Sequence, residues 1–277
     1  MSYLNSYQKG AIFYQRHKFI YTTEEGVTLS RSEFFSSLIS GADVHTSQPS
    51  PLVITAAWDE TLKSYDQIVY IPISSGLSGS CSAAISLSQA EAYKDKVYVV
   101  DNGRVSVPQR RSVMDAVELM SEGYSAVQIK EILETARQDM NIYIAVEDLI
   151  YPKRGGRISS DAAAIGTMLN IKPVLRLDTG LLDSFQKCRG IKKAKRVMIE
   201  ALQNDLNTTF KSQYGKGEVF LLAASSASAE DAEKWVEEIK ESFPGMSVLY
   251  GDLPLAISCH TGPNGFGIGC SCRPSRP

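Results

Sequence analysis

Short apolar runs alternate with segments of helical periodicity in the first part of the chain. The runs lie at residues 67–73, 97–100 and 142–146, and they predict buried strands because strands covered on both faces are apolar almost throughout. Apolar residues at helical spacing predict helices at residues 32–38, 51–64, 81–93, 112–121 and 126–138. Strands that alternate with helices in this way indicate parallel β-α-β units.

The pattern changes after Gly155 and Gly156. Shorter apolar segments predict strands at residues 172–177, 181–187, 218–223 and 247–250, and helical spacing predicts helices at residues 192–204 and 229–242. This order suggests a mixed sheet. We therefore predict an α/β protein of two domains, with a parallel-sheet domain at residues 1–155 and a mixed-sheet domain at residues 156–277.

Composition and charge narrow the classes of function. The chain has 277 residues and is 43% hydrophobic, enough to bury a sizeable core. A formal net charge of −2 provides no overall attraction to nucleic acid or to an anionic membrane. No apolar run approaches the ~20 residues of a membrane span, and the first ten residues lack the layout of a signal peptide. We expect a cytoplasmic protein without nucleic-acid binding or stable membrane insertion.

The five cysteines do not indicate a disulfide framework, because such frameworks are typical of short secreted chains. Cys259, Cys270 and Cys272 lie near His260 in sequence, but their spacing matches no strong zinc pattern. We predict free thiols, no metal site and no cofactor.

A serine cluster, ISSGLSGS at residues 73–80, follows the first predicted strand. Ligands of open parallel sheets bind beyond the carboxyl ends of the strands. Glycines there let the backbone approach a ligand, hydroxyls donate hydrogen bonds, and the next helix presents free N–H groups. The residues concerned are Ser74, Ser75, Gly76, Ser78, Gly79 and Ser80. The cluster suits a carboxylate or a phosphate, although helix capping by Ser78 or Ser80 explains it too.

A nucleophile is a second interpretation of the same cluster. The segment from Gly76 to Ser80 approximates the G-x-S-x-G elbow of hydrolases, with Ser78 as the nucleophile and Ser80 in place of the last glycine. An acid and a histidine follow in the order that α/β-hydrolases use, the candidates being Asp178, Asp183, Asp252 and His260. A serine esterase is therefore the alternative function.

Two further loops carry polar side chains. His260 opens the glycine-rich segment HTGPNGFGIG, whose turns can expose an imidazole to a cleft between domains. The loop HTSQPS at residues 45–50 adds the hydroxyls of Thr46 and Ser47, although a helix-capping turn explains this loop equally well.

Two basic stretches are candidates for binding a phosphate or an acidic partner surface. The first is KRGGR at residues 153–157, and the second runs from Lys187 to Arg196 and includes Arg189, Lys192 and Lys193. A solvated surface is the simpler interpretation of such charges.

Taken in order, these motifs resemble the DegV family of bacterial fatty-acid-binding proteins, which includes the carrier subunits of fatty acid kinase. The matching segments are TSQPS at 46–50, ISSGLSGS at 73–80, VVDNGRVS at 99–106, KRGGRIS at 153–159, LNIKPVLRLDTG at 169–180, CRGIKKA at 188–194 and HTGPNGFGIG at 260–269.

The resemblance implies a non-catalytic protein that holds a long-chain fatty acid in a tunnel between its two domains. It implies that Thr46, Ser74 and Ser75 bind the carboxylate with His260 in the supporting network. The supporting loops would be formed by Ser47, Gly76, Ser78, Gly79 and Thr261. Arg157 would lie at the tunnel entrance, where Arg189, Lys192 and Lys193 offer a docking surface.

The resemblance also implies a partner. In the kinase systems, a separate ATP-using subunit related to dihydroxyacetone kinases phosphorylates the bound carboxylate. The chain contains no G-x-x-x-x-G-K motif followed by Ser or Thr, consistent with a carrier that has no nucleotide site of its own. We expect a monomeric carrier with no bound cofactor besides the fatty acid.

The two ends of the chain depart from the family pattern. Family members usually open with a short strand ending in an Asp-Ser pair, and the start MSYLNSYQKGAIFYQRHKFIYTT shows no such element. We therefore expect the first strand of the amino-terminal sheet to be missing. The final segment CSCRPSRP is also atypical, and the sequence alone offers no physical account of it.

Overall fold

The computed structural model describes residues 12–16, 19–23, 29–163, 171–178 and 180–276. The strands in these ranges are β1 (Ile12–Arg16), β2 (Phe19–Thr23), β3 (Asp43–Thr46), β4 (Ile68–Tyr70), β5 (Val97–Val99), β6 (Met140–Ala145), β7 (Ile171–Asp178), β8 (Leu181–Arg189), β9 (Val219–Ser225), β10 (Val248–Asp252) and β11 (Phe266–Cys272). The helices are α1 (Arg31–Ile39), α2 (Pro51–Leu62), α3 (Ser80–Ser88), α4 (Ser106–Ser121), α5 (Ala126–Thr135), α6 (Ile150–Gly155), α7 (Ser160–Ala163), α8 (Ile191–Asn207), α9 (Lys211–Gly215), α10 (Ala229–Ser242) and α11 (Leu255–Thr261).

The strands form a parallel sheet, a mixed sheet and a small antiparallel sheet. β4 and β5 pair in parallel, and β2-β1-β3 pair antiparallel. The mixed sheet has the order β10-β9-β11-β6-β7-β8, with β10 and β9 parallel and the other neighbours antiparallel. The predicted α/β class, with a parallel sheet followed by a mixed sheet, is confirmed. The domain boundary at residues 155 and 156 stays a prediction.

Local sequence signals explain where several helices begin. The Ser30 hydroxyl accepts a hydrogen bond from the amide of Glu33, and the Glu33 carboxylate accepts one from the amide of Ser30 in return. At the start of α2, the Ser50 hydroxyl accepts a hydrogen bond from the amide of Val53, and Pro51 occupies the first turn, where no amide hydrogen is needed. These caps lie before the predicted helices at 32–38 and 51–64, which are confirmed as α1 and α2.

The larger core lies between the mixed sheet and helices α8 and α10. Fully buried residues there include Met198, Leu202, Trp235 and Ile239. A smaller core covers the parallel pair, where Trp58 packs edge-on against Tyr70 and Tyr93 at centroid distances of 5.4 and 5.2 Å. The mixed sheet and the parallel pair thus each have their own apolar support.

The strand predicted at residues 142–146 forms, but its predicted place in a parallel sheet is wrong. β6 lies between β11 and β7 in the mixed sheet and is antiparallel to both. An apolar run reports burial, which either sheet provides, and contains no information about the neighbouring strand.

The first three residues of the final segment, residues 270–272, belong to a central strand. β11 lies between β9 and β6, and all of its residues are buried. A Cβ added to Gly269 would clash with the carbonyl oxygen of Asn141, so this glycine lets β11 approach β6 closely. The cysteines of CSCRPSRP therefore belong to the core.

The start of the chain was expected to lack a strand of the parallel sheet. Within the described ranges that sheet consists of β4 and β5 alone, and β1 and β2 form a hairpin that pairs with β3 instead. Residues 1–11, part of the segment concerned, lie outside the described residues. No helix in the described part of the chain has the length and apolar character needed to cross a bilayer.

Candidate functional site

The serine loop, residues 73–79, joins the end of β4 to the start of α3 and is held by its own backbone. The amides of Leu77 and Ser78 donate to the carbonyl oxygen of Ser74 at 3.0 and 3.1 Å, and the Ser74 amide donates to that of Arg104 at 2.8 Å. Ser74 is 1% exposed, and its hydroxyl accepts a hydrogen bond from the Gly76 amide at 3.3 Å. The loop is therefore a compact turn with one serine facing inward.

Gly76 brings the serine loop into backbone contact with the mixed sheet. A Cβ added to Gly76 would lie 2.5 Å from the Cα of Gly180, and one added to Gly180 would lie 2.6 Å from the Cα of Gly76. Gly180 lies in the turn between β7 and β8 with φ +95°, a conformation that favours glycine. The LDTG motif thus supports the serine loop.

Ser75 faces Asp101, a residue that follows β5. The Ser75 hydroxyl donates to Asp101 Oδ2 at 2.6 Å. Burial alone would raise the pKa of Asp101, but hydrogen bonds from Ser75 and Arg137 together with the Arg137 charge lower it below its ordinary value. Asp101 is ionised at neutral pH.

His260 forms a hydrogen bond with Thr46, their Nε2 and Oγ1 atoms being 2.9 Å apart. The second ring nitrogen, Nδ1, is buried without a partner within the described residues. It lies against Gly155, where an added Cβ would clash with it. Burial, followed by the charges of Arg157 and His45, lowers the pKa of His260 to about 4. The imidazole is therefore neutral at pH 7.

Arg157 lies between the serine loop and Gly155, the residue that packs against this histidine. Its Nε donates to the carbonyl oxygen of Leu77 at 3.1 Å, and its Nη1 donates to that of Gly155 at 2.5 Å. The guanidinium is partly buried and places a permanent positive charge beside the neutral imidazole of His260. An anionic head group would be attracted to this position.

Thr46, Arg157 and His260 line one cleft of about 60 Å³, together with Val44, Tyr151 and Cys259. A water molecule occupies about 30 Å³ of liquid volume, and ligand pockets usually measure roughly 300–1,000 Å³. The cleft has room for a carboxyl head group but not for a long acyl chain. An acyl chain therefore needs space beyond this cleft.

The remaining predicted loop residues have different environments. Gln48 lies directly against Gly79, so the loop at 45–50 touches the serine loop, while Ser47 is exposed. Ser78 and Ser80 share a hydrogen bond of 2.8 Å between their hydroxyls. Thr261 is 2% exposed, directly after His260.

The predicted carboxylate ligands therefore fall into two groups. Thr46 and His260 meet at the cleft, whereas the Ser74 hydroxyl is hydrogen-bonded within the loop and the Ser75 hydroxyl to Asp101. Arg157, which was predicted at the tunnel entrance, also lines the cleft. Their roles in binding stay predictions.

The sequence analysis did not include Asp101 among the site residues. The order of the strands could have indicated it: Asp101 follows β5, which is parallel to β4, so it lies at the same edge of the sheet as the serine loop that follows β4.

The hydrolase alternative requires a hydrogen bond between nucleophile and base. No hydrogen bond joins Ser78 to His260 within the described part of the chain, since Ser78 pairs with Ser80 and His260 with Thr46. Two of the candidate acids have other partners: Asp183 accepts from Ser159, and Asp252 accepts from Tyr250. The side chain of the third, Asp178, lies outside the described residues.

The cysteines near His260 are free thiols buried in the protein. Burial raises the pKa of Cys272 to about 12 and that of Cys270 further still. Thiols with raised pKa values are poor nucleophiles at neutral pH, because nucleophilic attack needs the thiolate. We interpret Cys270 and Cys272 as core residues.

The second basic stretch lies at the start of α8. Arg189, Lys192 and Lys193 are exposed, and the cap residue Gly190 provides no side-chain hydrogen bond. Cations in the first turn of a helix are disfavoured by its dipole. Helix stability therefore does not account for Lys192 and Lys193.

Comparison with known proteins extends over most of the chain. Residues 21–272 match the model of the DegV family, described as uncharacterised proteins. A DegV domain-containing protein of Clostridium perfringens is 32% identical over 238 residues, which cover 84% of this chain and 79% of the relative. Protein DegV of Bacillus subtilis is 31% identical over 255 residues, which cover 91% of this chain and 87% of the relative.

Two solved structures are similar in fold and sequence. One shows fatty acid binding of a DegV family protein from Thermus thermophilus, with a TM-score of 0.80, 28% identity, and coverage of 95% of this chain and 90% of that chain. The other is DegV from Bacillus subtilis, described as a fatty acid binding protein, with a TM-score of 0.78 and the same identity and coverage.

Proposed function

Because the chain belongs to the DegV family, we propose that it binds a long-chain fatty acid and presents it to a separate kinase subunit. The two similar structures, each 28% identical to this chain, are described as binding fatty acids. The observation that carries the proposal is the cleft in which Thr46, His260 and Arg157 meet beside the serine loop.

The cleft offers groups that suit a carboxyl head. Arg157 provides a positive charge, and Thr46 provides a hydroxyl that can donate or accept. Neutral His260 keeps one ring nitrogen, Nδ1, without a partner inside the described structure. A buried carboxylate needs several hydrogen bonds, and Ser74 and Ser75 of the adjoining loop are the proposed source of the others. Ser74 keeps its hydroxyl proton for this role, whereas Ser75 has to turn its hydroxyl away from Asp101 to donate to the ligand.

The acyl chain supplies most of the binding free energy in this proposal. About 14 buried methylenes contribute roughly 11 kcal/mol before association costs of about 4–15 kcal/mol are subtracted. The cleft of about 60 Å³ holds only the head group, so in this proposal the acyl chain lies beyond the cleft.

The carrier role assigns no chemistry to this chain. Ser78 and His260 are hydrogen-bonded to different residues, so the arrangement does not favour a serine esterase. In the proposal, a dihydroxyacetone-kinase-like subunit supplies ATP and phosphorylates the bound carboxyl group. The exposed cations Arg189, Lys192 and Lys193 form the docking surface, and the protein acts as a cytoplasmic monomer.

Denaturing extraction of the purified protein, followed by mass spectrometry of lipids, tests the proposal. We expect a co-purified fatty acid in near-stoichiometric amount. A protein free of lipid that cleaves a p-nitrophenyl ester, and that loses this activity in the Ser78→Ala variant, would establish the esterase instead.

A further inference from the structure

Asp43 and His45 form a close pair at the rim of the cleft. Both belong to β3, and His45 Nε2 lies 2.9 Å from Asp43 Oδ1. Residues two apart on a strand face the same side, so the strand itself brings the two side chains together. His45 lines the cleft together with Thr46, whereas Asp43 is not among the lining residues. The pair therefore places a titratable ring at the cleft and holds it there from outside.

The charge of His45 is felt inside the cleft. Burial lowers the pKa of His260, and the charges of Arg157 and then His45 add to this effect, which gives a value of about 4. The cleft measures only about 60 Å³, so a head group within it lies close to every residue of its lining. A proton on the His45 ring would therefore act on a bound anion at short range.

The elements around β3 bring further charged and titratable groups to the cleft. Those in the lining are Tyr151, Arg154, Arg157, Cys259 and His260. None of these five is a carboxylate, and the two arginines keep their charge at all ordinary pH values. On the other side of β3, Phe13 and Gln15 of β1 pair in register with His45 and Asp43, and neither carries a charge. Asp43 is thus the carboxylate that His45 faces.

We propose that His45 regulates the head-group cleft by its protonation, so that the cleft holds an anionic head group more tightly when the ring is charged than when it is neutral. The inference rests on the proposed fatty-acid binding and adds a regulation of the same cleft. Histidine is the side chain whose charge ordinarily changes between about pH 5 and 8. The arginines stay charged over that range, and His260, with its pKa of about 4, stays neutral over most of it.

An alkyl sulfonate tests this regulation, because its head group stays ionised throughout the range and its own titration does not contribute. The affinity of the full chain for 1-tetradecanesulfonate is measured by titration calorimetry at about pH 6 and about pH 8. We expect it to be about three- to tenfold higher at the lower pH, as one added charge near a protein surface produces. 1-Tetradecanol carries no charge and should bind equally well at both.

Two substitutions separate the charge of the ring from its other contacts. His45→Gln cannot gain a charge and should show the weaker sulfonate binding at both pH values. His45→Arg is always charged and should show the tighter binding at both. The side chain of His45 is 67% exposed, so we expect both variants to fold.

The unmodified protein keeps the test independent of any variant's folding. Equal sulfonate affinities at the two pH values, or a pH dependence that persists in His45→Gln, would overturn the role of His45 while fatty-acid binding stands. Failure of the unmodified protein to bind myristic acid would overturn the proposed function together with this inference.

Discussion

The backbones of Gly76 and Gly180 touch, so that an added Cβ on Gly76 would lie only 2.5 Å from the Cα of Gly180. This contact joins the serine loop, which follows a strand of the parallel sheet, to the β7–β8 turn of the mixed sheet. The position of the proposed ligand-binding loop therefore depends on both sheets.

Gly76→Ala should force the two backbones apart. Overpacking of this kind costs about 1–3 kcal/mol, and we expect the free energy of unfolding to fall by that amount in urea denaturation. The matched control is Gly215→Ala, because Gly215 has no atom within 4 Å of its added Cβ. If both variants lose the same stability, the contact between Gly76 and Gly180 is not restrictive.

His260 should make stability depend on pH. Its folded pKa, about 4, lies below the ordinary value of 6.5, so between these values the unfolded chain binds more protons than the folded one. Stability should be greatest above pH 6.5 and fall as the pH drops toward 4, by up to about 3 kcal/mol. Urea denaturation at pH 4.5 and 7 measures this, and His260→Gln should remove that part of the slope. A slope identical in the two proteins would contradict the buried neutral imidazole.

Asp115 anchors a buried ion cluster on α4. Its Oδ1 accepts from Arg111 Nε and Nη2 at 2.9 and 2.6 Å, and its Oδ2 lies 3.9 Å from Arg104 Nη1. Asp115→Ala would leave two buried guanidinium groups without this carboxylate, so we expect a loss of about 3–5 kcal/mol in thermal or urea unfolding. The exposed control Asp66→Ala should change stability by less than about 0.5 kcal/mol.

Charge reversal at the start of α8 tests the proposed docking surface. Lys192→Glu with Lys193→Glu should weaken binding of a fatty acid kinase subunit by tenfold or more, on the order of the coupling measured for close interfacial charge pairs. Fatty-acid affinity should stay the same, because both lysines are exposed and neither lines the cleft. Lys211→Glu with Lys216→Glu is the matched control. Equal effects of the two double variants on kinase binding would argue against a specific surface.

Apolar periodicity was sufficient to predict most elements of the mixed α/β fold. It was insufficient for β6 and β11, for different reasons. The apolar run at 142–146 indicates a buried strand but not which strands lie beside it, so β6 was assigned to the wrong sheet. The segment leading into β11 was interpreted as turns because it is rich in glycine, yet Gly269 is the residue that permits close approach of β11 to Asn141.

The candidate site, too, could be predicted from the sequence only in part. The motif order placed Thr46 and His260 in one network although 214 positions separate them, and the structure joins them by a hydrogen bond. Sequence could not indicate that the Ser75 hydroxyl is committed to Asp101, because hydrogen-bond direction depends on geometry between segments 26 positions apart. Nor could it give the volume of the cleft, which depends on packing from several elements.

The central claim is that the cleft formed by Thr46, His260 and Arg157 binds the head group of a fatty acid. The most direct measurement is the affinity of delipidated protein for palmitic acid, compared with that of the variant carrying Thr46→Val and His260→Gln. We predict tight binding by the unmodified protein and an affinity at least about tenfold lower in the variant, since lost hydrogen bonds to a carboxylate cost about 1.5–3 kcal/mol each. Equal affinities in two folded proteins, or no binding by either, would contradict the account.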